Sequence, residues 1–126
     1  MLKKDYIQRY VDELTKMIAK VLQLKQNNEP EKAEQELDEF GNDYLKINLN
    51  ELIENNSSSI IDELITQHNF ELTHFKILEE LLYQKYLLAK ENEKLKTLTL
   101  SISQYVAKSD TDFSLERNSR IKVLQA

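Results

Sequence analysis

Apolar residues recur at spacings of three and four along nearly the whole chain, and only one glycine, one proline and no cysteine interrupt them. That is the period of an α-helix, in which positions three and four apart share a face. A single glycine leaves no glycine-rich loop to cradle a phosphate, and the lack of cysteine removes thiol chemistry. The expectation is an all-α fold of about five to seven helices. Its 40% hydrophobic and 31% charged residues are ordinary for a globular protein.

With 126 residues the chain fits one all-helical domain, 1–126. A domain of that size buries roughly two-thirds of the surface its unfolded chain exposes. No run of about 18 consecutive apolar residues offers a membrane span, and no membrane partner is expected. The segment from Met1 to Tyr6 leads into Asp12, Glu13 and Lys16 without an uninterrupted apolar block, so no secretory signal is expected. Absence of cysteine fits a reducing compartment and many exported proteins alike. A cytoplasmic location is the default expectation.

Charge is uneven. Residues 1–75 carry 8 Lys/Arg against 15 Asp/Glu, a balance of −7, whereas residues 76–126 carry 9 against 7, a balance of +2. The stretch from Glu29 to Glu63 holds 11 acids against Lys32 and Lys46. Such a block keeps a helical surface solvated, or it offers an acidic face to a basic partner. It argues against nucleic acid as the main partner, because phosphate contacts need clustered cations.

A first helix is expected from about Asp5 to Lys25, striped by Ile7, Val11, Leu14, Ile18 and Val21. Tyr6, Tyr10, Met17, Leu22 and Leu24 widen the stripe beyond a coiled-coil seam, which implies more than one helical neighbour. Asn27-Asn28-Glu29-Pro30 is the clearest break, and proline suits the first position of a new helix. That helix should run to about Lys46, with Ala33, Leu37, Phe40 and Tyr44 on one face. Gly41 inside it is expected where it packs closely on the first helix. The two helices should form an antiparallel hairpin.

Asn48 to Asn55 reads as a connector with one helical turn around Leu49, Leu52 and Ile53. Ser57 to Ser59 should cap a short helix with Ile60, Ile61, Leu64 and Ile65, and Ser59 with Asp62 resembles a capping box. Asn69 is the expected cap of a long helix reaching about Lys90 and rich in buried leucines. Leu98 to Ser103 alternates like a strand, yet Leu95, Leu98, Ile102, Tyr105 and Val106 have helical spacing. No second strand is on offer, so helix is expected. Lys108 to Phe113 is a polar turn before a last helix capped by Ser114.

No motif here carries recognisable chemistry. Glu71 and His74 have the Glu-x-x-His spacing of carboxylate-bridged metal bundles, but such sites need two pairs and two more glutamates. Asp110-Thr111-Asp112 opens like a calcium loop and then fails, with Leu115 in place of glycine and Ile121 in place of glutamate. Asn55 to Ser58 has glycosylation-type spacing but reads as loop and cap. Arg117, Arg120 and Lys122 cluster on the last helix, either as charge complements of its end or as an anion site. Six tyrosines, among them the pairs Tyr6 with Tyr10 and Tyr83 with Tyr86, mark core edges or a peptide groove. Catalytic, cofactor-binding and metal-ligating residues: none is assigned, and no partner-binding residue is singled out.

Leu2-Lys3-Lys4-Asp5-Tyr6-Ile7, then Pro30 to Leu37, and finally Phe113-Ser114-Leu115-Glu116-Arg117 carry a resemblance. The chain resembles a family of small, uncharacterised bacterial proteins with tetratricopeptide-like helical hairpins. The resemblance implies stacked antiparallel helix pairs and protein binding, with no assigned activity to transfer. The chain has no tryptophan, its one proline opens a helix, and no 34-residue self-match is evident, so the fold is expected as stacked hairpins or an irregular bundle. A non-enzymatic protein–protein interaction or scaffold module follows, binding a protein, a peptide or a second copy of itself. The alternatives are a self-associating helical dimer and a regulatory DNA-associated protein using Arg117, Arg120 and Lys122.

Overall fold

The computed structural model describes residues 2–55 and 57–126, with side chains from residue 8 onward. The described residues form seven α-helices: α1 (Leu2–Gln26), α2 (Pro30–Phe40), α3 (Leu49–Glu54), α4 (Ile60–His68), α5 (Leu72–Leu88), α6 (Glu93–Ser109) and α7 (Leu115–Gln125). The protein is all-α, with no strand among the described residues. The alternating segment Leu98–Ser103 is helical, inside α6. Two compact units divide the chain at Met1–Asn50 and Glu51–Ala126. Tyr6, Ile7 and Asn56, which entered the sequence reading, lie outside the described side chains.

In the first unit, α1 and α2 form an antiparallel hairpin. Tyr10 meets Tyr44 edge-on at 5.2 Å, and Lys20 pairs with Glu36 at 2.6 Å, so early residues of α1 face late ones of the hairpin. The turn follows from asparagine. Asn28 adopts a left-handed φ of 59°, its N–H donates to Lys25 and that of Glu29 to Leu24, which is a Schellman ending. The buried seam of α1 is Tyr10, Met17 and Val21, with Leu14 and Leu24 half-buried. Of the expected stripe Ile7, Val11, Leu14, Ile18 and Val21, Val21 is buried, Ile18 like Leu14 is half-buried and Val11 is exposed, so the centre lies toward Tyr10 and Met17. Val11 and Leu22 are 38% and 47% exposed. A wide apolar arc does not reveal its own centre, and here the aromatic contact between Tyr10 and Tyr44 sets it.

The second helix does not stay regular to Lys46. At Gly41 it widens into a π-helical turn, Gly41–Leu45, closed by Lys46 in the left-handed region. The N–H groups of Lys46 and Ile47 both donate to the Gly41 carbonyl. Lysine bears the steric cost of that conformation, and its ammonium reaches the Asp43 carbonyl at 2.9 Å. Gly41 was expected to permit close approach of α1. Its contact is instead with Leu49 of α3: a Cβ there would lie 2.9 Å from Leu49 Cγ. Leu49 itself is 1% exposed, so it has little room to retreat.

The second unit contains α4 to α7. Ser59 starts α4 but accepts no backbone N–H, and the expected box with Asp62 is not formed. Its ψ of 14° is not the extended value a cap needs, and its hydroxyl donates to Glu63 at 3.1 Å instead. Asn69, expected to cap α5, is the left-handed terminator of α4. Extended Glu71 is the true cap, bonded reciprocally with His74. α5 and α6 pack together around Phe75, Leu78, Leu82, Leu98, Ile102 and Val106, all buried. Asn92 caps α6 by accepting the Leu95 N–H at 3.1 Å. Buried Thr99 answers its hydroxyl within the helix by donating to the Leu95 carbonyl at 2.7 Å. α7 then lies on α6.

Gly41→Ala should destabilise the protein by about 1 kcal/mol, because overpacking against Leu49 outweighs the helix-propensity gain. In a Leu49→Ala background the same change should be neutral or stabilise by up to about 1 kcal/mol. Urea titrations of the four proteins read the sign change, and a Gly41→Ala chain more stable than wild type would remove Leu49 as the reason for glycine.

Candidate functional site: an arginine clasp on α7

The cationic cluster read from the sequence is where the structure concentrates its charge. Ser114 caps α7 by accepting the Arg117 N–H at 3.1 Å, which fixes the first turn. Arg117 and Arg120, three residues apart, then point the same way, toward α5. Arg117 grips Glu79 with both arms of its guanidinium, Nε to Oε2 at 2.7 Å and Nη2 to Oε1 at 3.1 Å. Both side chains are nearly buried, so this is a desolvated fork.

Arg120 sits between two α5 residues one turn apart. Its Nη1 donates to Glu80 at 2.9 Å, while its guanidinium carbon lies 4.2 Å from the centroid of the Tyr83 ring. Gln84 supports the acceptor by donating to the second Glu80 oxygen at 2.9 Å. Burial is the largest single influence on Arg120 and works against its charge, but the bond to Glu80 and the attraction of the Glu80 and Glu116 carboxylates together outweigh it, and the guanidinium is held more firmly protonated than usual. Arg117 is held the same way by Glu79.

A third acid ties the preceding loop into the clasp. Asp110 Oδ2 accepts from Lys76 at 2.9 Å and lies 3.7 Å from Arg117 Nη1, while Oδ1 accepts the Asp112 N–H at 3.1 Å. The Lys76 bond first, then the Asp112 amide, hold the Asp110 carboxyl below its ordinary value. The Asp110-Thr111-Asp112 stretch is thus a loop anchor. A cavity of 200 Å³ adjoins it, lined by Asp110, Phe113 and Arg117 among others.

The remaining candidates have structural uses. His74 Nδ1 accepts the Glu71 N–H at 2.9 Å and so belongs to the cap of α5. Among the described residues no three His, Cys, Asp or Glu side chains converge as a metal site. Tyr10 and Tyr86 are buried; Tyr44, Tyr83 and Tyr105 are half-buried against Phe40, Arg120 and Phe75. The groove between α1 and α2, of 250 Å³, has Met17, Phe40 and Tyr44 at its floor and is bridged by the pair of Lys20 and Glu36. Sequence reading found the arginines but not Glu79 and Glu80. Two adjacent acids in a leucine-rich helix were the available signal, since one of them must face inward.

Removing one member of the fork leaves the other desolvated and alone. Arg117→Met should cost up to about 3 kcal/mol, and adding Glu79→Leu should recover most of the loss. Additive costs in urea titration would show that the two side chains are not coupled. Asp110 makes a pH prediction. Its folded pKa is lowered from 3.8, so the stability it confers is complete above that value and is lost as pH falls below it. Asp110→Asn should be less stable at neutral pH and lose stability less steeply below about pH 4 in acid titration.

No family model, no curated protein and no solved structure matches the chain.

Proposed function

We propose that the protein is a non-catalytic interaction or scaffold module, built of tetratricopeptide-like helical hairpins, that binds another protein chain. The observation that carries this reading is the outward face of α7 and the loop before it. Phe113 and Leu115 are 76% and 74% exposed, and Val123 further along the helix is 50% exposed. Single exposed apolar residues are common, but Phe113 and Leu115 stand two residues apart on a segment whose backbone is anchored by Asp110, Ser114 and Arg117. While α7 is seated, its cap and loop bonds hold the turn that presents the aromatic and the leucine, which lowers the entropy they lose on binding.

Two further uses of side chains support a binding role. His74 is engaged in a helix cap, and the arginines of the cationic helix are engaged by carboxylates. The second point weighs against reading DNA with α7, since Arg117 and Arg120 face Glu79 and Glu80. Self-association is the second reading, favoured by the exposed line of Val11 and Leu22 on α1, eleven residues apart and so on one face.

Phe113→Ser with Leu115→Ser should leave the far-UV spectrum unchanged and stability within about 0.5 kcal/mol, because both sites are exposed. Affinity capture from cell lysate at low and high salt, with light scattering of the purified chain, should show a partner or dimer lost in the double variant. Capture and mass that do not change on substitution would remove this surface from the proposal.

A further inference from the structure

The side of α7 that faces the protein is as informative as its outer side. Four apolar residues lie on α7, and two of them, Leu115 and Val123, point outward while both arginines point inward. Of the other two, Leu124 is buried and Ile121 is half-buried. α6 by contrast buries Leu95, Leu98, Ile102 and Val106. α7 is therefore held by two arginine–carboxylate contacts and a leucine, at positions i, i+3 and i+7 of one face, with half-buried Ile121 at i+4 packed beside them.

We propose that the surface under α7 is a docking site for a helix carrying arginine at i and i+3 and leucine at i+7, and that α7 is its exchangeable resident. The partner is a basic helix of that pattern from another protein. Its specificity resides in α5: Glu79 takes a guanidinium fork, and Glu80 with Tyr83 takes a second guanidinium by charge and ring face. Charge complementarity names the occupant, because an apolar helix would leave Glu79 desolvated and unpaired.

Exchange is cheap for three physical reasons. Leaving α7 lets the arginines and both glutamates hydrate, so no charge is stranded. α7 buries Leu124 and half-buries Ile121 where α6 buries four apolar residues, which makes α7 the lower-energy opening unit of the two. An incoming helix of the same pattern remakes the same contacts. The resident has the advantage of its tether, the short loop from Asp110 to Ser114, which keeps its effective concentration high. A competitor therefore binds weakly until the resident is loosened. This inference does not rest on the outer face of α7, which the Phe113 and Leu115 substitutions test by themselves.

The probe is a fluorescent peptide of residues 114–126, titrated by anisotropy into the full-length chain. The Arg117→Gln/Arg120→Gln chain, whose own α7 is loosened, should bind it at least about tenfold more tightly than wild type. Binding should weaken with added salt, and the peptide with glutamine at both positions should not bind. No binding to a variant that keeps the wild-type helical spectrum, or equal binding of the glutamine peptide, overturns the proposal. Should the variant fail to fold, hydrogen exchange on the wild type decides. α7 amides exchanging ahead of α5 and α6, and faster in high salt, support it; α7 exchanging only with global unfolding overturns it.

Discussion

A carboxylate inside a leucine-rich helix is the constraint from which much of the second unit follows. Glu79 lies on α5 between Leu78 and the Leu81-Leu82 pair, all buried, and an unpaired charge there would carry a desolvation penalty of several kcal/mol. Arg117 answers it with a fork, and that answer dictates where α7 begins, since the arginine must sit in the first turn. Ser114 and Asp110 then arrange the chain ahead of it, one by capping the helix and the other by holding the loop through Lys76. A buried pair of this kind adds little net stability but excludes other registers of α7 on α5, because only one places both arginines against both acids.

The first unit is organised by a steric rather than an electrostatic condition. Leu49 must enter the space beside the end of α2, and only a residue without Cβ leaves that space open. The chain reaches Leu49 by widening at Gly41 and reversing through Lys46, a residue poorly suited to the left-handed region. Sequence propensity and tertiary packing disagree at this point, and packing prevails. Such a wide turn shifts the register of the side chains that follow, which is how Leu45, Ile47 and Leu49 are all buried within one short stretch.

How much of this is legible in the chain depends on the range of the interaction. Helix number, the hairpin of α1 and α2, the Ser114 cap and the helical state of Leu98–Ser103 follow from period and from local hydrogen bonding, and those are contained within a few neighbouring residues. The cap of α5 was displaced to Glu71 because Asn69 suits either a cap or a left-handed stop, and Phe70, which is buried, must fall between the two helices. The centre of the α1 stripe and the neighbour of Gly41 depend on contacts from elsewhere in the chain. Glu79 and Arg117 are 38 residues apart, and nothing in either neighbourhood names the other.

The same limit explains why α7 reads as an ordinary cationic ending. Periodicity weighs apolar residues alone, and Leu115, Val123 and Leu124 give it no single direction in which to turn α7. Those three residues do not share one face: Leu115 and Val123 lie on the side away from Leu124 at helical pitch. Once Glu79 and Glu80 are placed on α5, the arginines fix the rotation instead, and two apolar residues are carried to the outside as a consequence. Inner clasp and outer apolar face are thus one feature. A helix oriented by charge toward its own protein leaves apolar side chains exposed on its far side.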